Sequence, residues 1–286
     1  DTVGNVYVTG SFMSIADFDP GMGVHNMTST GYTGGVNPVT DAFLVKLDIN
    51  GDFLWAKQIG GTSSEVGKSV KINSLQDIII SGSYSGTADL DPGTDVFNET
   101  SKGVNDIFIV KLDQNGDFDF GKSIGGTHSD AVNKMELDGS DNIILAGVFY
   151  DNIDVDPSAA THTLTSEGSN DALVVKLDSE GDFLWAKQFG GTEKEFCYAL
   201  TIDNMDNIYA SGGFEGTCNF NLPLTDNILS SAFRRSPNLR LTRIKEVKAF
   251  YEMEWFYGFS NTLQIRNREM FPLGGLTYGR MDKSGQ

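Results

Sequence analysis

Along residues 1–231, apolar and polar positions alternate in short runs, and the runs return at a fixed interval. Val66-Gly-Lys-Ser-Val-Lys-Ile72 alternates and predicts a strand with one buried face. After the polar break Asn73-Ser-Leu-Gln76, residues 77–84 predict a second strand. Ile107-Phe-Ile-Val-Lys-Leu112 is almost continuously apolar, as a strand covered on both faces should be. Residues 118–124 predict a fourth. Asp113-Gln-Asn-Gly116 joins the last two, its Asn-Gly pair supplying the positive φ of a tight hairpin. No span of 1–231 carries a helical period.

This four-strand pattern is copied along the chain. Asp41-Ala-Phe-Leu-Val-Lys-Leu-Asp48 recurs as 106–113 and 171–178, a step of 65 residues each time. Gly51-Asp-Phe-Leu-Trp-Ala-Lys-Gln-Ile-Gly-Gly-Thr62 recurs as 116–127 and 181–192. Asp77-Ile-Ile-Ile-Ser-Gly82 recurs as 142–147 and 207–212. Asn5-Val-Tyr-Val-Thr-Gly10 stands 72 residues before Gly82, so the first unit carries seven extra residues, assigned to the Gly-rich stretch Gly21 to Thr40.

Tandem four-stranded antiparallel units without helices predict an all-β, β-propeller-type fold. One such sheet cannot cover both its faces, so neighbours must stack. The divisions are a partial blade at 1–61, full blades at 62–126 and 127–191, and a partial blade at 192–231. About three and a half blades make an arc and leave the ring incomplete. Trp55, Phe120 and Trp185 share one place in their units and predict packing between blades. The Gly-Gly-Thr at 60–62, 125–127 and 190–192 predicts a sharp turn from one blade to the next; no Lys-Ser/Thr follows, so it is not a phosphate loop.

With these motifs in register, the chain resembles the bacterial β-propeller repeat family known as SBBP repeats. Val-Tyr-Val-Thr-Gly, Asp-Ala-Phe-Leu-Val-Lys-Leu-Asp-x-x-Gly and Trp-Ala-Lys-Gln-Ile-Gly-Gly-Thr carry the likeness, over about 1–231. Ala16-Asp-Phe-Asp-Pro-Gly21 resembles a variant found in secreted and cell-surface members. The resemblance implies a seven-bladed propeller-type fold and an extracytoplasmic setting, and no particular activity.

Charge narrows the partners. The 286 residues hold 39 Asp and Glu against 21 Lys and Arg, a net charge of −18, which argues against nucleic acid. Two cysteines exclude a disulfide scaffold. No apolar run is long enough to span a membrane as a helix. The chain opens on Asp1-Thr-Val-Gly with no basic and apolar leader, as expected after signal removal or in a piece of a longer chain. The character changes near 232. Residues 1–233 are net −23, while 234–286 are net +5 and hold all seven arginines. The segment 232–286 is therefore a basic, non-repeat tail. It reads as a docking helix over 239–257, a small separate domain, or a foreign stretch from a frameshift or misjoined gene.

The strongest polar constellation is Asp17-Phe-Asp19-Pro-Gly21, echoed by Asp89-Leu-Asp91 and Asp154-Val-Asp156 and by Asn219 and Asn221. Alternate carboxylates on an extended strand share a side and suit a calcium ion. Position twelve of each loop is Thr28, Thr100 or Thr165, so these are not EF-hands. The competing reading has each Asp capping its own turn. Asp48, Asp113 and Asp178 resemble the Asp-box hairpins of other propellers, with one more residue before Gly, and read as structural. His25, His128 and His162 fall at unrelated places in the units, and Cys197 and Cys218 read as apolar fillers on consecutive strands. No catalytic set is confined to one blade. The leading expectation is a non-enzymatic, secreted or cell-surface scaffold binding a protein or glycan, with no cofactor except calcium at the Asp pairs. The alternatives are a glycan-active hydrolase or lyase, incomplete in this arc, and a calcium-dependent adhesin.

Overall fold

The structure is a computed structural model that describes residues 1–30, 39–220, 228–230 and 240–243. Among these residues every regular element is a strand. The first unit holds β1 (Val6–Met13), β2 (Ile15–Asp17), β3 (Asn26–Thr28), β4 (Thr40–Leu47) and β5 (Phe53–Gly61). The second holds β6 (Glu65–Ile72), β7 (Ile78–Tyr84), β8 (Thr87–Asp89), β9 (Asn98–Thr100), β10 (Asp106–Leu112) and β11 (Phe118–Gly126). The third repeats it as β12 (Ala131–Leu137), β13 (Ile143–Phe149), β14 (Asn152–Asp154), β15 (Thr163–Thr165), β16 (Asp171–Leu177) and β17 (Phe183–Gly191). The fourth comprises β18 (Glu195–Ile202), β19 (Ile208–Phe214), β20 (Thr217–Asn219), β21 (Ile228–Ser230) and β22 (Arg240–Arg243).

Each full unit is an antiparallel meander, β6-β7-β10-β11 in the second and β12-β13-β16-β17 in the third. The pattern predicts four strands, and the structure adds two short ones. The hairpins β8–β9, β14–β15 and β20–β21 leave their own unit and pair with the end of the preceding unit's last strand, β5, β11 and β17. Each sheet is thus stitched to the next by main-chain hydrogen bonds as well as by packing.

The Gly-Gly pairs lie at that stitch, which corrects their reading as a sharp turn. Gly60 faces Asp89 and Gly61 faces Ala88; Gly125 and Gly126 face Asp154 and Ile153 in the same way. None of these glycines has a positive φ. Their requirement is close approach. A Cβ on Gly126 would run into the Asn152 carbonyl oxygen, and one on Gly125 into the Asp106 carboxyl.

Side chains alternate across each sheet, so successive residues of β7 belong to different cores. Ile78 and Ile80 pack with Ala42 and Leu44 of the first unit, while Ile79, Ile107 and Ile109 pack with Val132, Met135 and Leu145 of the third. Each buried side chain of this size is worth about 1.5–3 kcal/mol relative to exposure, so stability resides between units. In the first unit, Val6 and Val8 stand where Ile78 and Ile80 stand in the second. They are 48% and 42% exposed, against 0% and 1%. Trp55 and Phe120 are half-buried against the next unit's core, close to the turn glycines Gly116 and Gly181.

β22 pairs with β19, Arg240 opposite Gly212 and Arg243 opposite Tyr209. β16 holds that place beside β13 in the third unit. Residues 240–243 are therefore strand, not the start of a helix over 239–257. The rest of that segment, 244–286 as a whole, and Asn221 lie outside the described residues.

Candidate functional site

The acidic surplus is placed by the fold at recurrent positions. The first is the turn between the third and fourth long strands. Asp48 Oδ1 accepts the N–H groups of Asn50 at 2.7 Å and Asp52 at 2.9 Å. Asp113 does the same with Asn115 and Asp117, and Asp178 with Glu180 and Asp182. Gly51 and Gly116, at φ 86° and 87°, take the left-handed position. The donated N–H bonds, that of Asp52 or Asp117 foremost, hold Asp48 and Asp113 below the usual carboxylate range.

The second is the turn between the first two long strands, where the pattern shows only a polar break. Asn73, Asp138 and Asp203 each accept two N–H bonds from the residues two and four ahead. The left-handed residue here is Gln76, Asp141 or Asp206, and its side chain reaches back one unit. Gln76 Oε1 accepts from the N–H and hydroxyl of Thr2, Asp141 from the N–H and hydroxyl of Ser74, and Asp206 from the Gly139 N–H. Asp138 also pairs with Lys176 at 2.5 Å. Burial draws its carboxyl upward, but the bonds from Lys176 and Asn142 outweigh that and leave it below the ordinary range.

The third place holds the residues proposed for calcium. Asp17 Oδ1 accepts from Asp19 N at 3.1 Å and His25 N at 2.8 Å, Asp89 Oδ1 from Asp91 N and Phe97 N, and Asp154 Oδ1 from Asp156 N and His162 N. The second carboxylates turn to Gly21, Gly93 and Ser158 N–H groups. These six aspartates thus shape the eight-residue hairpin loops 18–25, 90–97 and 155–162. Among the described residues no group of three or more His, Cys, Asp or Glu is disposed to hold a metal ion.

The same loops correct the reading of the histidines. His25, Phe97 and His162 are equivalent, each donating its N–H to the first loop Asp. Their rings lie 4.8, 5.3 and 4.7 Å from Phe53, Phe118 and Phe183. Only His128 stands apart. Cys197 and Cys218 are both buried; β19 lies between their strands, so they are not on consecutive ones. Burial pushes the Cys197 thiol up to about 12.

The fourth place, absent from the sequence reading, lies at the seams between units. Asp41, Asp106 and Asp171, at the head of each third long strand, are 0% exposed. Glu65, Asp130 and Glu195, at the junction with the next unit, are 0%, 0% and 1% exposed. Among the described residues, an acid facing an acid in an apolar seam recurs three times, an arrangement that burial alone makes costly.

Another varied position is a β-bulge. Each first long strand bulges once, at Lys68, Asn133 and Tyr198, and the residue differs in every unit. Lys68 and Tyr198 are exposed. Asn133 donates to the Cys197 carbonyl at 2.8 Å.

No protein-family profile matches the chain. Among curated proteins, the "Uncharacterized WD repeat-containing protein L264" of Acanthamoeba polyphaga mimivirus is 26% identical over 209 residues, 63% of this chain. The "Regulatory protein FlaEY" of Caulobacter vibrioides is 22% identical over 167 residues, 57% of this chain. The chain spans 15% and 17% of the lengths of these relatives. With the antiparallel repeats, the likeness supports an all-β, propeller-like repeat architecture.

Proposed function

We propose that the chain is an arc of a β-propeller, about three and a half blades over residues 1–231, that serves as a non-enzymatic binding scaffold outside the cell for a protein or glycan. One observation carries this reading. The carboxylates held in defined geometry occur at the same place in unit after unit and bind the protein's own N–H groups or its neighbouring unit. A catalytic centre needs an acid, base or nucleophile set apart in one place. Variation between units reaches solvent at the loop tips 20–24, 93–97 and 158–162 and at the bulged Lys68 and Tyr198. The relatives' names, a WD repeat protein and a regulatory protein, favour a scaffold that binds proteins. The SBBP-type motifs favour a bacterial, extracytoplasmic setting. The net charge of −23 over 1–233 favours a partner with a basic patch.

The test probes the chain against cell-surface protein fractions and glycan arrays, alongside the double variant Lys68→Ala, Tyr198→Ala. Saturable binding, weakened at least about tenfold by the double variant, is expected. Release of product from a bound glycan would contradict the reading, as would binding indifferent to both residues.

A further inference from the structure

The seam acids recur at three successive junctions. Asp130 N donates to the Asn105 carbonyl at 2.8 Å, and Glu195 N to the Asn170 carbonyl at 3.0 Å, which sets each acid beside Asp106 or Asp171. The Gly-Gly stitch completes the arrangement. The first glycine packs on the third-strand aspartate, with no room for a Cβ, and at the second and third junctions the second glycine donates its N–H to the junction acid. Gly126 N reaches Asp130 Oδ2 at 2.7 Å, and Gly191 N reaches Glu195 Oε2 at 3.1 Å. One oxygen of each third-strand aspartate is satisfied: Asp41 Oδ2 by Thr30 N and Gln58 Nε2, Asp106 Oδ2 by Lys102 N, Asp171 Oδ2 by Glu167 N and Gln188 Nε2. The other is not. Asp41 Oδ1, Asp106 Oδ1, Asp171 Oδ1, Glu195 Oε1 and both oxygens of Glu65 are buried without a hydrogen-bond partner among the described residues, whereas Asp130 also accepts the Tyr150 N–H on Oδ1 at 3.4 Å.

The charged surroundings do not neutralise these pairs. Glu65 faces Asp41. Asp130 faces Asp106, whose nearest cation, Lys102, extends its ammonium to Asp154 at 3.5 Å and is half-exposed. Glu195 faces Asp171, Glu167 and Glu193, with the buried Cys218 thiol beside it. Two ionised carboxylates in an apolar seam repel each other and lack solvation. A proton on the junction acid removes both penalties, needs no space, and offers a donor to the orphaned aspartate oxygen.

We infer that each seam is closed by a carboxylic acid–carboxylate pair sharing one proton, Glu65 with Asp41, Asp130 with Asp106 and Glu195 with Asp171, so that the stacking of units is latched by acid. The junction acid keeps the proton and its O–H donates to the free oxygen of the aspartate. Burial, then the Asp41 charge, pushes Glu65 up to about 9; burial pushes Asp130 to about 7; burial, then Asp171, pushes Glu195 to about 7.

The sign follows from linkage. Each junction acid binds its proton more tightly folded than unfolded. Its contribution is therefore full below the unfolded value near about 4 and is lost as pH rises through the folded value. Loss begins near about pH 4, is complete near about 7 for Asp130 and Glu195, and continues to about 9 for Glu65.

The experiment measures the melting temperature of the full chain from about pH 5 to about pH 9, beside the triple variant Glu65→Gln, Asp130→Asn, Glu195→Gln. An amide offers an N–H to the aspartate as the protonated acid does, but cannot ionise. The parent's melting temperature is expected to fall by at least about 5 °C over that range, and the variant's to change much less. Parallel curves for the two proteins would overturn the latch. Should the variant not fold, the parent's infrared spectrum in D2O at about pH 6 decides. A carbonyl band of un-ionised carboxylic acid is expected, and its absence refutes the shared proton.

Discussion

Asp141 reaches back one repeat to Ser74, accepting its backbone N–H at 3.0 Å and its hydroxyl at 2.5 Å. The bond connects turns that share no strand pairing, and Gln76 to Thr2 and Asp206 to Gly139 repeat it around the same rim. Asp141→Ala is expected to cost about 1 kcal/mol, modest because the site meets water. Urea denaturation reads the loss. A stability equal to the parent's would make the rim contact incidental.

Two glycines separate close approach from backbone conformation. Gly126→Ala forces a methyl group onto the Asn152 carbonyl and the β14 stitch, so a loss of about 2–4 kcal/mol is expected. Gly51→Ala meets nothing within 4 Å, and only its φ of 86° resists. About 1 kcal/mol is expected there. Denaturant midpoints of the two variants check the order, which must not reverse.

Asp138 ties the turn after β12 to Lys176 on β16, and also accepts bonds from Ser140 and Asn142. Asp138→Ala strands those donors and is expected to cost about 2 kcal/mol at neutral pH. Its folded carboxyl lies below its unfolded value, so the contribution is present above the unfolded value near about 4 and disappears as pH falls through the folded one. The gap between parent and variant melting temperatures should close on strong acidification. A gap independent of pH would mean the effect is packing and not charge.

The six hairpin aspartates already serve the N–H groups of their own loops. Calcium is therefore expected to leave the melting temperature unchanged and to release no heat in calorimetry. An upward shift abolished by Asp89→Ala with Asp91→Ala would reinstate the metal reading.

The long strands are legible in the sequence because each carries a period of two and each returns at a fixed step. The hairpins β8–β9 and β14–β15 are not. Three-residue strands such as Thr87–Asp89 carry no measurable period, and an eight-residue loop lacks a tight-turn signal. The seven-residue insertion hides the equivalence of His25 and His162. Stepping 72 residues from His25 reaches Phe97, and 65 more reaches His162. The bonds from Thr30 and Lys102 to Asp41 and Asp106 place the insertion after Thr30. The seam acids escape for another reason. Glu65 at the head of a strand reads as a polar boundary, because what buries it comes from non-adjacent segments. An acid placed alike in every unit, just ahead of an apolar run, is the one signal that marks it.

Burial is shared between units, and one substitution tests this across a seam. Leu145 of β13 packs in the same cluster as Ile107 and Ile109 of β10, one unit away. Leu145→Ala is expected to cost about 2–5 kcal/mol. Native-state hydrogen exchange should show the β10 amide protons losing protection by a free energy comparable to those of β13. Loss of protection confined to the third unit, with β10 unchanged, would contradict the account.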